Sequence, residues 1–427
     1  YDDQIIIKNK NFCNIWQKYA AKIHPIITAP QEFYYRNKVE FSFGKYIVDW
    51  WDKQAKQRQS WFHKQWFFSK VIDVDACYII HPQMNKVFQK IKAIAQDEQL
   101  PVYDQKTHIW ILRHLVIRHS VTTNQILINL SVANKQITDN YSLKRHNFLE
   151  KCKKDIDLQE NIKTFCITHN NTKGDVVKNI DNEMWHLRGD WFIYEKLIFS
   201  RQNNYNNYNN FDTRISPWVI EDSKPKTTKQ YYQNNNNEQN EMVTLRISPF
   251  SFFQTNTLGA IQLIEQCLFL VGSMKWHIID LYCGTWTIGI SLLKAGIGTY
   301  LTGIDIINDA IVDAWFNAQI NNIQNQCSFY TWKTEKLLID ESVINNRENI
   351  KLLIVDPPRD WLHKNATRFL SNIKKWYHGK LLYISCNPLS LYRDVEYLLV
   401  SWRYLEHLQP VDLFPQTHHI ETICILS

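Results

Sequence analysis

A chain of 427 residues with 44% hydrophobic and 21% charged residues can form two globular domains and is too apolar to be intrinsically disordered. The formal net charge of +7 suits a polyanionic partner without requiring one. The nine cysteines are odd in number and form no Cys-x-x-Cys pair, which argues against a disulfide framework and a zinc site. No apolar run is long enough to cross a membrane, and the first residues do not resemble a signal peptide, so a cytoplasmic protein is expected.

The first 200 residues predict a helix followed by a β-rich domain. Residues 1–30 are predicted as a helix, because Ile15, Tyr19 and Ile23 recur four apart before Pro30. Residues 31–200 predict an antiparallel sheet domain with one helix near residues 82–96. Its β-branched or aromatic runs are residues 36–43, 61–68, 108–118 and 125–132.

Several basic residues of this β-rich domain alternate with aromatic residues. They are predicted to form one face that holds phosphates and stacks unpaired bases, although a solvated charged face of a sheet is the alternative. The basic residues of this predicted face are Arg36, Lys38, His63, Lys64, Arg113 and Arg118.

Residues 201–241 are rich in asparagine and cannot build a core, so they predict an insertion at a domain boundary. From residue 242 onward, apolar strands alternate with helices. This order predicts an α/β domain over residues 242–427 with a mostly parallel sheet that has an antiparallel end. The predicted strands are residues 277–280, 299–305, 327–331, 351–356, 380–386, 404–413 and 420–426.

One loop of the α/β domain has the features of a nucleotide-type cofactor site. The segment Asp280–Gly289 follows a strand and opens a helix, and Gly284 permits close approach of the backbone to a ligand. Asp305 ends the next strand, where a carboxylate suits the two hydroxyls of a ribose.

Three further segments place reactive side chains at strand ends. Cys386 follows an apolar strand, Asp356 and Arg359 follow another in Asp-Pro-Pro-Arg, and Glu421 begins the last strand. Ligands of open α/β sheets bind at the carboxyl ends of strands, so these groups are expected to converge in one crevice. Taken singly, Cys386 could be a small buried apolar residue, Glu421 an exposed strand carboxylate and His418 a surface residue.

The ordered motifs Asp-Pro-Pro-Arg, Ser-Cys-Asn-Pro and Asp-x-Phe-Pro-Gln-Thr-x-His-Ile-Glu resemble those of the RNA uracil-C5 methyltransferase family. Two segments of the β-rich domain, Tyr-Arg-Asn-Lys-Val-Glu-Phe and Leu-Arg-His-Leu-Val-Ile-Arg, resemble the RNA-contacting domain of that family. The resemblance implies a class I methyltransferase fold with an N-terminal antiparallel β-rich RNA-binding domain, S-adenosylmethionine as cofactor and structured RNA as substrate. Some members carry an iron–sulfur cluster on closely spaced cysteines, but Cys13 and Cys77 stand alone, so no cluster is predicted.

The resemblance also implies roles for individual residues. Cys386 would add to C6 of uracil, and Glu421 would remove the C5 proton. Asp356 and Asn387 would bind the base. Arg359, also counted among the substrate-binding residues, would stabilise charge on O4, lower the pKa of the Cys386 thiol or contact a phosphate. The residues implied to line the cofactor site are Gln254, Tyr282, Gly284, Thr287, Asp305 and Asp356.

Three alternatives follow for the function. A uridine of the tRNA T-loop is the first choice, because ribosomal-RNA members often carry an additional β-barrel domain that this chain does not show; 23S rRNA is the alternative substrate. An inactive RNA-binding paralogue is suggested by Trp286, which stands where the family has glycine. A small-molecule methyltransferase is disfavoured by the large basic β-rich domain. A monomer is expected.

The counts of glycine and tryptophan are unusual, at 11 and 16 residues. Five tryptophans stand where the matching family patterns have glycine, namely Trp61, Trp110, Trp286, Trp332 and Trp361. We hypothesise that UGA codons read here as tryptophan encode glycine in the source organism. A diverged or inactive paralogue is the alternative explanation.

Overall fold

The computed structural model describes most of the chain in two compact units. Unit 1 comprises Tyr1–Phe33, Lys196–Leu245 and Ser251–Ser427, and unit 2 comprises Tyr34–Glu195 and Arg246–Phe250. The described residues are 1–45, 59–60, 62–64, 67–72, 74–102, 110–133, 139–157, 161–171, 184–200, 240–273, 275–285, 287–333, 349–359, 362, 364–374 and 377–427.

The first helix, α1 (Asp2–Ile15), is shorter than predicted. A 3-10 helix, Gln17–Lys22, follows it, and the chain then becomes extended. Ile23 and Ile27 form parallel bridges with Leu408 and Val411 in unit 1. The prediction of a helix over residues 1–30 is therefore wrong beyond residue 22, because these residues pair with a strand and Pro25 cannot continue a helix.

Unit 2 is built on a five-stranded sheet with two helices. Its strand order is β1-β6-β7-β8-β9, and the pairs are antiparallel except β7 with β8, which are parallel. The predicted antiparallel sheet is therefore mixed, since helix α3 supplies the long crossover that a parallel pair requires. The elements are β1 (Lys38–Ser42), β2 (Gly44–Lys45), β3 (Gln59–Ser60), β4 (Phe62–Lys64), β5 (Phe67–Ile72), α2 (Pro82–Asp97), β6 (Leu112–His119), β7 (Ile126–Val132), α3 (Asp139–Asp157), β8 (Ile162–His169) and β9 (Met184–Gly189).

The predicted basic face of unit 2 is partly wrong. Arg113 and Arg118 are only 2% and 3% exposed, so they belong to the interior. The Arg113 guanidinium lies 5.1 Å from the ring centroid of Trp110, and Arg118 Nη2 donates to the Pro249 carbonyl at 3.3 Å. Burial, followed by the charge of Arg118, lowers the pKa of Lys38 to about 8. The side chains of His63 and Lys64 lie outside the described residues.

Strands β10 (Ile193–Ser200) and β11 (Asn240–Ile247) form a two-stranded sheet. Strand β11 begins two residues inside the predicted insertion of residues 201–241. Residues 201–239 lie outside the described residues, so the insertion and the domain boundaries drawn from it stay predictions.

Unit 1 contains a seven-stranded sheet that confirms the predicted α/β architecture. Its order is β14-β13-β12-β15-β16-β18-β17, with β18 antiparallel to both neighbours and the remaining pairs parallel. The seven strands are β12 (His277–Leu281), β13 (Tyr300–Asp305), β14 (Cys327–Thr331), β15 (Ile350–Val355), β16 (Lys380–Ser385), β17 (Leu405–Val411) and β18 (Glu421–Leu426). The helices are α4 (Thr257–Val271), α5 (Thr287–Lys294), α6 (Asn308–Ile320), α7 (Lys364–Ile373) and α8 (Pro388–Leu398), with a 3-10 helix at Gln324–Gln326.

The central strands of this sheet are almost continuously apolar, and because successive residues point to opposite faces, their burial shows that both faces are covered. Strands β15 and β16 are buried along almost their whole length. Because β12, β13, β15 and β16 are parallel, the loops after them open at one edge of the sheet. The antiparallel strand β18 brings its first residue, Glu421, to that same edge. Among the described helices, none combines the length and apolarity needed to span a membrane.

Candidate active site

Cys386 and Glu421 lie on neighbouring strands at this edge. In the antiparallel register, Ser385 lies opposite Thr422, and Cys386 directly follows Ser385 while Glu421 directly precedes Thr422 at this edge. The negative charge of Glu421 acts on the Cys386 thiol, so the two side chains lie near each other. Cys386 is half-buried, and the Glu421 side chain is only 4% exposed. The structure therefore brings the predicted nucleophile and the predicted base together.

Arg359 is the cation of this arrangement. Burial and the negative charge of Glu421 raise the pKa of the Cys386 thiol, whereas a hydrogen bond from Arg359 and its positive charge lower it. Because only the thiolate is nucleophilic, this arginine favours the reactive form of the cysteine. The loop after β15 positions Arg359, as the Asp-Pro-Pro-Arg motif predicts.

Glu421 is an unusually basic carboxylate. Burial, and then the negative charge of Asp356, raise its pKa to about 8, while Arg359 acts in the opposite direction. A group with a pKa near neutral pH can both accept and return a proton during a reaction. An ordinary exposed strand carboxylate would not have this pKa.

Asn387 has a structural task that the sequence did not predict. Its side-chain oxygen caps helix α8, accepting the backbone N–H groups of Leu389 at 3.1 Å and Ser390 at 3.3 Å. Pro388 occupies the first turn of the helix, where its missing N–H costs nothing. This cap fixes the turn that directly follows Cys386. Contact of Asn387 with the base stays a prediction.

Buried carboxylates lie at the carboxyl ends of the neighbouring strands. Asp280 is 3% exposed, and burial followed by the charges of Asp356 and Asp305 raises its pKa well above the ordinary range. Burial also raises the pKa of Asp356 to about 7. Three acidic groups that repel one another in a partly dry site would be stabilised by a bound cation.

The loop after β12 leaves room beside its backbone. Tyr282 and Gly284 have φ angles of 63° and 53°, and a Cβ atom on Gly284 would meet nothing within 4 Å. The Gly284 N–H donates to Asp305 Oδ2 at 2.9 Å, and Asn317 Nδ2 donates to the Thr285 carbonyl at 3.0 Å. The loop is thus held by the side chains of Asp305 in β13 and Asn317 in α6, while the backbone of Gly284 faces open space.

These residues fit S-adenosylmethionine. The cofactor carries a positive sulfonium and an amino group, which complement the buried carboxylates, and a ribose whose hydroxyls suit the remaining acceptor capacity of Asp305. Gln254 is 7% exposed, and Thr287 is the first residue of helix α5. Contact of these two residues with the cofactor stays a prediction. Trp286, together with Trp61 and Trp361, lies outside the described residues.

A family model described as tRNA (uracil-5-)-methyltransferase matches residues 202–427, more than half of the chain. The chain belongs to this family. Similar proteins include uncharacterized RNA methyltransferases of Chlorobaculum tepidum, 27% identical over 99% of this chain and 78% of the relative, and of Caldanaerobacter subterraneus, 26% identical over 100% and 80%. The family assignment confirms that the chain is an RNA (uracil-5-)-methyltransferase.

One solved structure has the same fold. The Pyrococcus abyssi tRNA (uracil-54, C5)-methyltransferase in complex with S-adenosyl-L-homocysteine matches with a TM-score of 0.67 and 23% identity, over 100% of this chain and 83% of that chain. The class I methyltransferase architecture predicted for residues 242–427 is thereby confirmed.

Some residues of the site were missed by sequence reasoning. Asp280 was recognised only as the start of a loop, although its burial at a strand end is implied by the apolar run before it. Lys8, in the first helix, carries a buried charge that is paired with Asp412, more than 400 positions away. No local pattern signals such a pair, because its partners meet only in the fold.

Proposed function

We propose that this methyltransferase modifies C5 of a uridine in structured RNA through a covalent bond between Cys386 and C6 of the base. The observation that carries this proposal is the cluster of Cys386, Arg359, Glu421 and Asp356 at one edge of the sheet, in which Arg359 and the two carboxylates act on the ionisation of Cys386, and Arg359 and Asp356 act on that of Glu421. A surface cysteine or a purely structural carboxylate would have no need of such neighbours.

Covalent activation is required because C5 of uracil is a weak nucleophile. The Cys386 thiolate forms a bond to C6, and the electrons of the C5–C6 double bond move toward C4 and O4, which makes C5 enolate-like. Arg359 favours the thiolate before this step and can stabilise the negative charge that develops on O4. Asp356 is proposed to hydrogen-bond the edge of the base and hold it against the sulfur.

S-adenosylmethionine would supply the electrophilic methyl group, whose bond to the sulfonium sulfur breaks as its bond to C5 forms, with S-adenosyl-L-homocysteine as the leaving product. C5 then carries both a methyl group and its original proton. Glu421 removes that proton, the C5–C6 double bond re-forms, and the bond from C6 to the Cys386 sulfur breaks. The thiolate is restored, and the proton leaves Glu421 to solvent. A pKa near 8 lets this carboxyl perform both transfers close to neutral pH.

Structured RNA with an accessible loop is the proposed substrate. Both faces of the target base must be reached, so the nucleotide must be unpaired or turned out of its stack, at a cost of a few kcal/mol. A uridine of the tRNA T-loop is proposed first, supported by membership of the tRNA (uracil-5-)-methyltransferase family and by the similarity to the Pyrococcus abyssi tRNA (uracil-54, C5)-methyltransferase. A uridine of 23S rRNA is the alternative. Unit 2 is proposed as the RNA-binding unit, and the protein as a monomer in the cytoplasm.

Methylation of defined RNAs tests the proposed substrate. The enzyme and S-adenosylmethionine are incubated with a T-loop stem-loop, a fully paired duplex of the same sequence and 23S rRNA fragments, and the modified nucleotide is mapped by mass spectrometry. We expect 5-methyluridine in the stem-loop and none in the duplex. Modification restricted to the rRNA fragments would select the alternative substrate, and modification at a base other than uracil would contradict the proposal.

A further inference from the structure

The pocket that contains Cys386 is larger than a single base requires. Its volume is about 740 Å³, within the range of about 300–1,000 Å³ that holds drug-sized ligands. A uracil ring is considerably smaller than such a ligand. The pocket therefore has space for a second nucleotide beside the target uridine, and the residues that line this additional space can contribute to RNA recognition.

Helix α1 provides one wall of this pocket. Gln4, Ile7, Asn11 and Ile15 all line it and recur at intervals of three or four, so they form one stripe of the helix. Lys8 and Phe12 also border the pocket but are themselves buried, as is Ile5. The helix is thus packed on one side and presents a continuous second side to the pocket.

A buried ion pair holds α1 against the loop that leads to Glu421. Lys8 Nζ lies 2.7 Å from Asp412 Oδ1, and the side chains are 5% and 0% exposed. Lys8 also donates to the Phe414 carbonyl at 3.1 Å, and the Tyr1 hydroxyl donates to Asp412 Oδ2 at 2.7 Å. Burial of this pair makes a displaced helix costly, because the partner left behind would be an uncompensated charge.

A second, reciprocal contact joins the same two elements. Gln4 Nε2 donates to Gln416 Oε1 at 2.7 Å, and the Gln416 backbone N–H donates to Gln4 Oε1 at 3.0 Å. Gln416 has a φ of 63°, which is uncommon for a residue other than glycine and persists where the surroundings hold it. The wall is therefore a built part of the pocket.

Two side chains of the wall are available to a ligand. Asn11 is exposed, and its amide makes no hydrogen bond within the part of the chain that the structure describes. Ile7 is 58% exposed, and Leu389, which lines the same pocket from the start of α8, is 65% exposed. Apolar side chains pack on the faces of a base that has left its stack, and an amide can hydrogen-bond its edge.

We propose that helix α1 is part of the RNA site, where Ile7 and Asn11 contact the nucleotide adjacent to the target uridine and determine which neighbour is preferred. This assignment rests on the proposed function, since it places the target base at Cys386. Ile7 packs on the neighbouring base, while Asn11 donates to and accepts from its edge.

Asn11→Ala tests the proposal, with Asn14→Ala as the matched control. Asn14 is an exposed asparagine of the same helix that does not line the pocket. Initial rates are measured on four stem-loop RNAs that differ only in the nucleotide beside the target. Loss of one hydrogen bond should raise KM about fivefold on the preferred RNA and reduce the discrimination among the four, with kcat and the Kd of the cofactor unchanged.

The companion variant Ile7→Ala should weaken the binding of all four RNAs and leave cofactor binding unchanged. Equal KM values for Asn11→Ala, Asn14→Ala and the unmodified enzyme, with unchanged discrimination, would overturn the proposal. Cys386→Ala is assayed in parallel. If it abolishes methylation while the α1 variants behave like the control, the α1 proposal alone fails; if it remains active, the proposed function fails.

Discussion

The two sides of the crevice in unit 1 handle negative charge differently. On the cofactor side, the neighbours that act on buried Asp280 are the carboxylates of Asp356 and Asp305, and both raise its pKa. On the base side, Arg359 opposes the effect of carboxylates on Cys386 and on Glu421. Asp356 contributes to both sides.

This difference shows which side of the crevice already contains a positive charge in the ligand-free protein. The base side contains its own cation, Arg359, which partly offsets the effect of burial and Glu421, although the pKa of the Cys386 thiol remains raised. The carboxylates of the cofactor side repel one another until a cationic ligand arrives, so ligand binding there should be coupled to their ionisation. Substitutions on the two sides should therefore have separable effects on chemistry and on cofactor binding.

Replacing the nucleophile should have the largest effect. We expect Cys386→Ala to reduce methylation at least about a thousandfold, because without the thiol C5 is not activated. Cofactor affinity, measured by calorimetry, should remain nearly unchanged. Cys77→Ala, which removes another half-buried cysteine but lies in unit 2, is the control and should retain full activity. Comparable activities of the two variants would disprove the covalent mechanism.

Asp356→Asn should separate the two sides of the crevice. Since burial raises the pKa of Asp356 from 3.8 to about 7, its ionisation opposes folding, so the ligand-free enzyme should lose stability as pH rises from about 4 to about 7 and change little above that. The variant should be more stable at pH 8 by up to about 4 kcal/mol and show a weaker pH dependence. It should also bind S-adenosylmethionine more weakly, with a smaller loss for S-adenosyl-L-homocysteine, which lacks the sulfonium charge. Equal losses for both ligands would contradict a role for this charge.

The pH dependence of the reaction should reflect Glu421. Its carboxylate form increases as pH rises through about 8, and the thiolate fraction of Cys386 rises as well, so single-turnover rates should increase at least about fiftyfold from pH 6 to pH 8. Cofactor binding should be followed over the same range, to correct for ionisation of Asp356. A rate that falls over this interval would exclude Glu421 as the base.

The identity of residue 286 sharpens the description of the cofactor side. Gly284 faces open space, and an indole two residues later would occupy a loop that must approach the ligand. We expect mass spectrometry of the native peptide from Asp280 to Lys294 to show glycine at position 286, and the gene to contain UGA at positions 286 and 361. UGG codons there, or a peptide mass that requires tryptophan, would reject the recoding hypothesis.

Sequence patterns predicted most of the α/β half of the molecule. Its strands are short apolar runs that end in polar motifs, and each motif occupies a loop at the same edge of the sheet. The positions of Cys386, Arg359 and Asp305 at this edge could therefore be predicted from the local sequence. The resemblance to the methyltransferase family implied the roles of these residues and identified Glu421 as the candidate base. The pKa of Glu421, about 8, could not be predicted in this way, because it depends on burial and on Asp356, which only the fold brings near.

The β-rich half was predicted less well. Alternation of apolar and polar residues identifies strands but not their partners, so the parallel pairing of β7 with β8 was missed. The buried positions of Arg113 and Arg118 were missed for a related reason, since basic residues are expected at the surface unless tertiary structure covers them. The Lys8–Asp412 pair, which joins the two ends of the chain, lies beyond any local pattern.

The proposed covalent bond between Cys386 and RNA can be tested directly. Glu421→Gln retains the shape of the side chain but cannot remove the C5 proton, so the methylated adduct cannot resolve. Incubation of this variant with S-adenosylmethionine and the stem-loop RNA should give a protein–RNA species that survives denaturing electrophoresis. The double variant Cys386→Ala/Glu421→Gln should give none. Absence of the species from Glu421→Gln, or its persistence in the double variant, would contradict the covalent mechanism.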